Sequence, residues 1–309
     1  MKFFNLFVIA ALLAVTISCT LDKTDFEAET STEVTEHYEF KEAVMLQTGN
    51  YKIKIEALNG TFYKGYNEIR LSVFNRQDQP VNNVTTVNLL PILKNSDGDK
   101  NSCPHSYDLV YDSEGNYFVG YIVFAQEGNP MENWQLNLNF TINNQTYDAV
   151  QTVSVEKQTN MNLNMTSFTG NDGEQYFIAL VGPQKPKVAE NELIAGIYKY
   201  NQPTDSSEDL SDHERFSYTV LNDYKLLLDP RMPEPSMGNH SSPNNKDLEQ
   251  REKGGLYYGV VNYTMTGNWT LNFILLNENG EVIKGTEVPT DFTPGIEGAK
   301  SELYIDTLF

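Results

Sequence analysis

The residues with the most chemistry to offer gather in one stretch, Asp229-Pro230-Arg231-Met232-Pro233-Glu234-Pro235-Ser236-Met237-Gly238-Asn239-His240-Ser241-Ser242-Pro243-Asn244-Asn245. It holds two of the eight methionines and one of only four histidines. Thioether and imidazole suit Cu(I) among the soft metals, whereas thioether is a poor zinc ligand. Met232, Met237 and His240 stand five and three residues apart. Extended, the segment carries them past a common point; Pro233, Pro235 and Gly238 allow it to fold back so that all three converge. A second use of the same residues stays open. Met232 and Met237 can pack the loop onto its own domain, since methionine fills irregular gaps, and His240 can be a solvated histidine.

A weaker donor pair is Cys103 and His105, a Cys-x-His on a polar stretch. The chain has two cysteines, and if Cys19 carries lipid then Cys103 has no partner for a disulfide. The alternative is a buried, inert thiol. The alternation Asn95, Asp97, Asp99, Asn101 has the look of a calcium loop, but Gly98 is misplaced for an EF-hand and Ser106 stands where the bidentate Glu belongs, so a solvated turn is expected. Of the other histidines, His37 falls in a linker and His213 in an acidic stretch. There is no nucleophile elbow, zinc-protease motif, phosphate loop or dinucleotide fingerprint, so no enzyme is expected.

These donors need elements to position them. Apolar runs Tyr224 to Leu228 and Leu256 to Val261 flank the Met/His stretch, making it a loop between strands. Period-two alternation recurs through the chain. In Trp134 to Ile142, Trp134, Leu136, Leu138 and Phe140 point one way and Gln135, Asn137, Asn139 and Thr141 the other. No segment keeps a 3.6-residue period. The expected class is all-β, with strands spaced as in a sandwich. Residues 91–106 read as a long loop.

The second half echoes the first. Asn67-Glu68-Ile69 returns as Asn191-Glu192-Leu193, Gly115 to Tyr121 as Gly255 to Val261, and Trp134-Gln135-Leu136 as Trp269-Thr270-Leu271. One domain used twice explains this order. Between the first two echoes each half has a loop with a histidine, His105 or His240, so these loops are expected to correspond. The organisation expected is a lipoprotein signal peptide at 1–18, a flexible tether at 19–38, domains at 39–157 and 158–288, and a C-terminal tail at 289–309. The basic Met1-Lys2, the apolar Phe3 to Val15, too short to span a bilayer, and then Cys19 resemble a bacterial lipoprotein signal; Thr16-Ile17-Ser18 departs from its strict Leu-Ala-Gly pattern, so a plain secretory signal is the alternative.

On these motifs the chain resembles the YtkA-like family, related to FixH. Met232-Pro233, Met237-Gly238 and His240-Ser241-Ser242-Pro243-Asn244-Asn245 are similar to its Met/His/Pro motif, and Thr264-Met265-Thr266-Gly267-Asn268-Trp269 to its strand entry Met-x-Gly-x-Trp. Asn239 separates Gly238 from His240, and Leu93 and Lys94 stand in the first copy where methionines are expected. The resemblance implies two tandem immunoglobulin-like sandwiches in a cell-envelope protein with a link to copper. The expected function is Cu(I) binding or delivery, on the periplasmic face or the cell surface. The partners are the membrane, through the N-terminal lipid, and an envelope protein that gives or takes copper. The alternative is a metal-free adhesion or assembly module. A formal charge of −20 on 309 residues repels nucleic acid and anionic headgroups. Cys19→Ser is expected to move the protein from the membrane fraction to the soluble one and to abolish acyl-chain labelling.

Overall fold

Alternation in sequence becomes alternation in burial. From Gly65 to Val73 every second residue is buried and those between are half-exposed. The computed structural model describes residues 39–129, 131–158, 161–203 and 210–308. The segments assigned to the signal peptide and tether, Cys19 included, lie outside the described residues. Among those described, no helix is long and apolar enough to cross a membrane.

The first half contributes β1 (Phe40–Thr48), β2 (Tyr51–Leu58), β3 (Phe62–Tyr63), β4 (Gly65–Asn75), β5 (Val84–Asn95), β6 (Lys100–Asn101), β7 (Val110–Asp112), β8 (Tyr117–Phe124), β9 (Glu132–Ile142), β10 (Gln145–Val153) and β11 (Val155–Glu156). One sheet runs β1-β2-β4-β8-β7 and a second β10-β9-β5-β6. Their inner faces meet in a core that includes Ile53, Ile69, Leu71, Leu89, Trp134 and Phe140. The second half contributes β12 (Met165–Thr169), β13 (Gln175–Gly182), β14 (Glu190–Asn201), α1 (Asp212–Arg215), β15 (Ser217–Val220), β16 (Lys225–Met232), β17 (His240–Ser241), β18 (Lys246–Gln250), β19 (Tyr257–Asn262), β20 (Asn268–Leu276), β21 (Val282–Lys284) and β22 (Tyr304–Leu308). Its strands follow β12-β13-β14-β19-β18-β16-β20-β21 without a break, because β18 pairs with both β19 and β16. The two layers of this sandwich are therefore joined along one edge. The first half is joined in the same place by Leu89 N–H to Tyr107 O (2.8 Å) and Leu109 N–H to Val87 O (2.9 Å). The molecule is all-β, two sandwiches in tandem.

The copies match in detail. Asn67 is buried and clasps its own strand entry: its Oδ1 accepts from Tyr63 N–H (2.9 Å) and its Nδ2 donates to Tyr63 O (2.7 Å) and Gly65 O (2.9 Å). Asn191 repeats the clasp with Lys187 N–H (3.0 Å), Lys187 O (2.8 Å) and Ala189 O (2.7 Å). Ile69 pairs with Gly120 and Leu193 with Gly259, so Gly120 matches Gly259 and the echo of Gly115 to Tyr121 falls one residue earlier than Gly255 to Val261.

One expectation changes, and two others gain detail. Residues 91–95 continue β5, and with β6 they form a hairpin rather than a loop. Pro91 is accommodated because its missing N–H falls on the edge away from β9, where no ladder bond is lost. Asn95, Asp97 and Asp99 build the hairpin turn, with Asn95 Oδ1 accepting from Asp97 N–H (3.0 Å) and Asp99 N–H (2.8 Å), so these groups serve the backbone. Residues 303–308 are not a free tail: Leu303 and Ile305 are buried and β22 pairs with β20.

The halves meet over aromatic side chains. Tyr121 lies 5.3 Å from Tyr198 and 5.7 Å from Tyr66, ring to ring, and Phe216 packs with Leu90 and Ile92. The acidic stretch is only partly described; its last residues form α1, capped by Ser211 and Glu214, and Asp212 meets Lys100 at 2.5 Å. Both tryptophans are fully buried, with Trp134 Nε1–H donating to Gln126 O (3.0 Å) and Trp269 Nε1–H to Met265 O (3.1 Å). Trp134→Ala or Trp269→Ala is expected to lower stability by about 3–5 kcal/mol, measured by denaturant unfolding.

Candidate functional site

The Met/His stretch begins inside β16, which pairs with β20 from Lys225 to Arg231. On its other edge β16 meets β18 at Lys225 and Leu226, and β17 at Arg231 and Met232. Between these contacts Leu228 N–H is met by Asp247 Oδ1 (3.1 Å), and Pro230 has no N–H to offer. Beyond Met232 the chain turns back through two backbone bonds, Met237 N–H to Glu234 O (2.9 Å) and His240 N–H to Met237 O (3.2 Å). Gly238 and Asn239 adopt φ of 63° and 53°, the left-handed region that glycine and asparagine tolerate. The fold-back expected of this loop is present, and it sets Met232 directly opposite His240. Opposed residues in an antiparallel pair share one face, with Cβ atoms about 4.5–5.5 Å apart.

Around this pair the side chains are graded in depth. Met232 is buried at 2 % exposure, Met237 is half-buried against the same core, and His240 is exposed. Gly267 takes φ of 130°, a backbone conformation that a side chain would strain, and a Cβ there would lie 2.9 Å from Met232 Cε, so the 264–269 segment lies close against the end of the thioether. His240 Nε2 lies 3.1 Å from Thr264 Oγ1, and its ring stands edgewise 6.3 Å from the Trp269 ring. Arg231, also buried, is met by Asp229 Oδ2 at 2.8 Å. The described residues contain no cluster of three or more His, Cys, Asp or Glu able to hold a metal ion. A surface cleft of about 320 Å³, lined by Leu228, Asp229, Asp247, Asn272 and Thr286, includes neither Met232 nor His240.

A strap from the C-terminal region holds the turn. Gly298 N–H donates to Pro233 O (2.7 Å), Asn239 Nδ2 to Pro289 O (3.3 Å), and the Phe292 ring lies 3.6 Å from where a Cβ on Gly238 would sit. No sequence signal pointed to this strap, because its residues are scattered glycines and prolines. The importance of Gly267 and Trp269 was visible in the strand-entry motif; that of Thr264 was not.

The two loops correspond as expected, and the register shows which residues match across them. Leu93 pairs with Asn101 as Met232 pairs with His240, so Asn101-Ser102-Cys103-Pro104 corresponds to His240-Ser241-Ser242-Pro243. The first copy thus has Leu and Asn where the second has Met and His. Cys103 sits in the first core with no exposure, and burial pushes its thiol well up, which keeps it protonated and unreactive. His105 faces the junction, its ring 5.9 Å from Tyr218, with Nδ1 at 2.7 Å from Cys103 O. Burial pushes its pKa down to about 4, so it is neutral at physiological pH. His213 stacks on Tyr107 at 3.4 Å and is likewise a junction residue.

No family model and no curated protein matches the chain. Among solved structures it is similar to the Escherichia coli adhesin FdeC, at 12 % identity and a TM-score of 0.23, over 77 % of this chain and 62 % of that one. It is also similar to a conserved domain protein from Bacillus anthracis, at 12 % identity and a TM-score of 0.23, over 89 % and 92 % of the two chains. This chain thus spans 62 % of the FdeC chain's length.

Losing one backbone hydrogen bond costs about 1 kcal/mol. Phe292→Ala, or Gly298→Ala, whose methyl would press within 2.6 Å of Asn239 Oδ1, is therefore expected to speed amide exchange at residues 237–240 roughly fivefold. Unchanged exchange would mean that the strap does not hold the turn.

Proposed function

We propose that this chain is a cell-envelope lipoprotein that binds Cu(I) reversibly through Met232, Met237 and His240 and passes it to or from an envelope protein, without catalysis. The observation that carries this reading is the opposition of Met232 and His240 across β16 and β17, set by a folded-back turn with Met237 within it. Soft thioether and imidazole donors fit Cu(I), and the absence of thiolate or carboxylate among them disfavours zinc and calcium. Thioether carries no charge and imidazole binds a metal in its neutral form, so holding these donors beside the core carries none of the desolvation cost of an ionised ligand. A neutral set also leaves the charge of Cu(I) uncompensated, which suits a site that releases its cargo. His240, the exposed donor, gives the ion its way in and out.

The envelope setting rests on the short basic start, the apolar run and Cys19. The first copy, with Leu93 and Asn101 in the matching places, serves as a structural partner of the second and holds no copper of its own.

Titration of tag-free protein with Cu(I) against a competing chelator tests the reading. One site is expected. Met232→Leu and Met237→Leu, which keep volume and remove sulfur, and His240→Ala should each weaken it by roughly tenfold or more, an order-of-magnitude expectation for losing one of three donors. Cys103→Ser should leave it unchanged. Equal affinity in all four variants would defeat the assignment and leave a metal-free adhesion or assembly module.

A further inference from the structure

Resting on that Cu(I) reading, we infer that Thr264 is a positioning residue for the site: it accepts the Nε2 proton of His240 and so makes Nδ1 the nitrogen that binds the metal. A neutral imidazole carries one proton, and the nitrogen that donates a hydrogen bond cannot also offer a lone pair. Nε2 stands 3.1 Å from Thr264 Oγ1, and Nδ1 has no hydrogen-bond partner among the described residues. Nδ1 is also the ring nitrogen nearer the backbone, and that backbone is paired with Met232. The Trp269 ring stands edgewise to the imidazole, 6.3 Å from it centre to centre. Metal-binding histidines commonly donate their second ring N–H in this way, which fixes the tautomer before the ion arrives.

A second observation comes from the other copy. The shared register of β4 with β8 and of β14 with β19 aligns Ile122 with Val261. Three residues further on, Ala125 stands where the second copy has Thr264. The tryptophan N–H bonds agree, ending on the next residue in each copy, Gln126 and Met265. The sandwich itself needs no hydroxyl at this place, since the first copy folds with alanine there. Met232, His240 and Thr264 are replaced together by Leu93, Asn101 and Ala125, so the hydroxyl accompanies the donors and not the fold.

Thr264 is exposed, so its replacement does not threaten folding. Nitrogen-15 spectra of the metal-free, full-length chain report the His240 tautomer directly, and chelator competition reports Cu(I) affinity. The wild type should show the Nε2–H form. Thr264→Val should lose that preference and bind Cu(I) about 10–100-fold more weakly, and Thr264→Ser should restore both. An Nδ1–H tautomer in a wild-type chain that binds Cu(I), or a Thr264→Val variant with unchanged tautomer and affinity, overturns the role of Thr264 alone. A chain with the Nε2–H tautomer that takes up no Cu(I) overturns the copper reading and the donor role of Nδ1 with it, while the Thr264 hydrogen bond stands.

Discussion

A strand interior with no N–H to give is the constraint on which the Met/His turn depends. Pro230 cannot donate from the outer edge of β16, so β18 pairs with that strand only at Lys225 and Leu226. Asp247 satisfies Leu228 N–H, and the edge beyond it is vacant until β17 returns to cover Arg231 and Met232. The vacancy is what lets a second, short strand enter at the end of β16. Pro91 stands at the matching place in β5, where β6 returns to Leu93 and Lys94. One backbone device thus produces a re-entrant hairpin in both sandwiches, and only the side chains placed on it differ.

That distinction explains what could be read from sequence. Alternation from Tyr66 to Phe74 and from Trp134 to Ile142 announced half-buried strands, and the repeated Asn-Glu and Trp segments announced two copies. Each of these signals is local, since burial of one face acts within a strand. The continuation of β5 through Pro91 was not legible, because a proline excludes only a donating position and sequence does not say which edge of the strand lacks a partner. That the two histidine-bearing loops correspond was legible, but which residues match within them is set by the residues facing across each hairpin, and those are Asn101 and His240. Met232, Met237 and His240 were legible as a donor set because their types are rare and close in sequence. Thr264 was not, since its contact with His240 spans 24 residues and a threonine near a strand carries no chemical signal.

The junction between the copies absorbed several residues that had looked chemical. His105, His213 and Tyr107 are ring contacts between the halves, and the thiol of Cys103 lies inside the first core. A histidine held neutral among aromatic rings behaves as a polar aromatic, able to satisfy one carbonyl while packing on its faces. The acidic insertion has a comparable use, since α1 brings Asp212 to Lys100 of the other half and carries His213 onto Tyr107. The first sandwich has kept the shared framework and spends its loop on this joint.

The strap has a consequence for how the protein comes to be made. Pro289, Phe292 and Gly298 follow the Met/His turn in the chain, and β22, which ties their segment to β20, follows them. The turn makes its own backbone bonds and its pairing with β16 from residues 231–241, but the strap contacts to Pro233, Gly238 and Asn239 need residues 289–298, and the pairing that ties these down needs β22. A chain cut short between the two would hold the turn without its clamp.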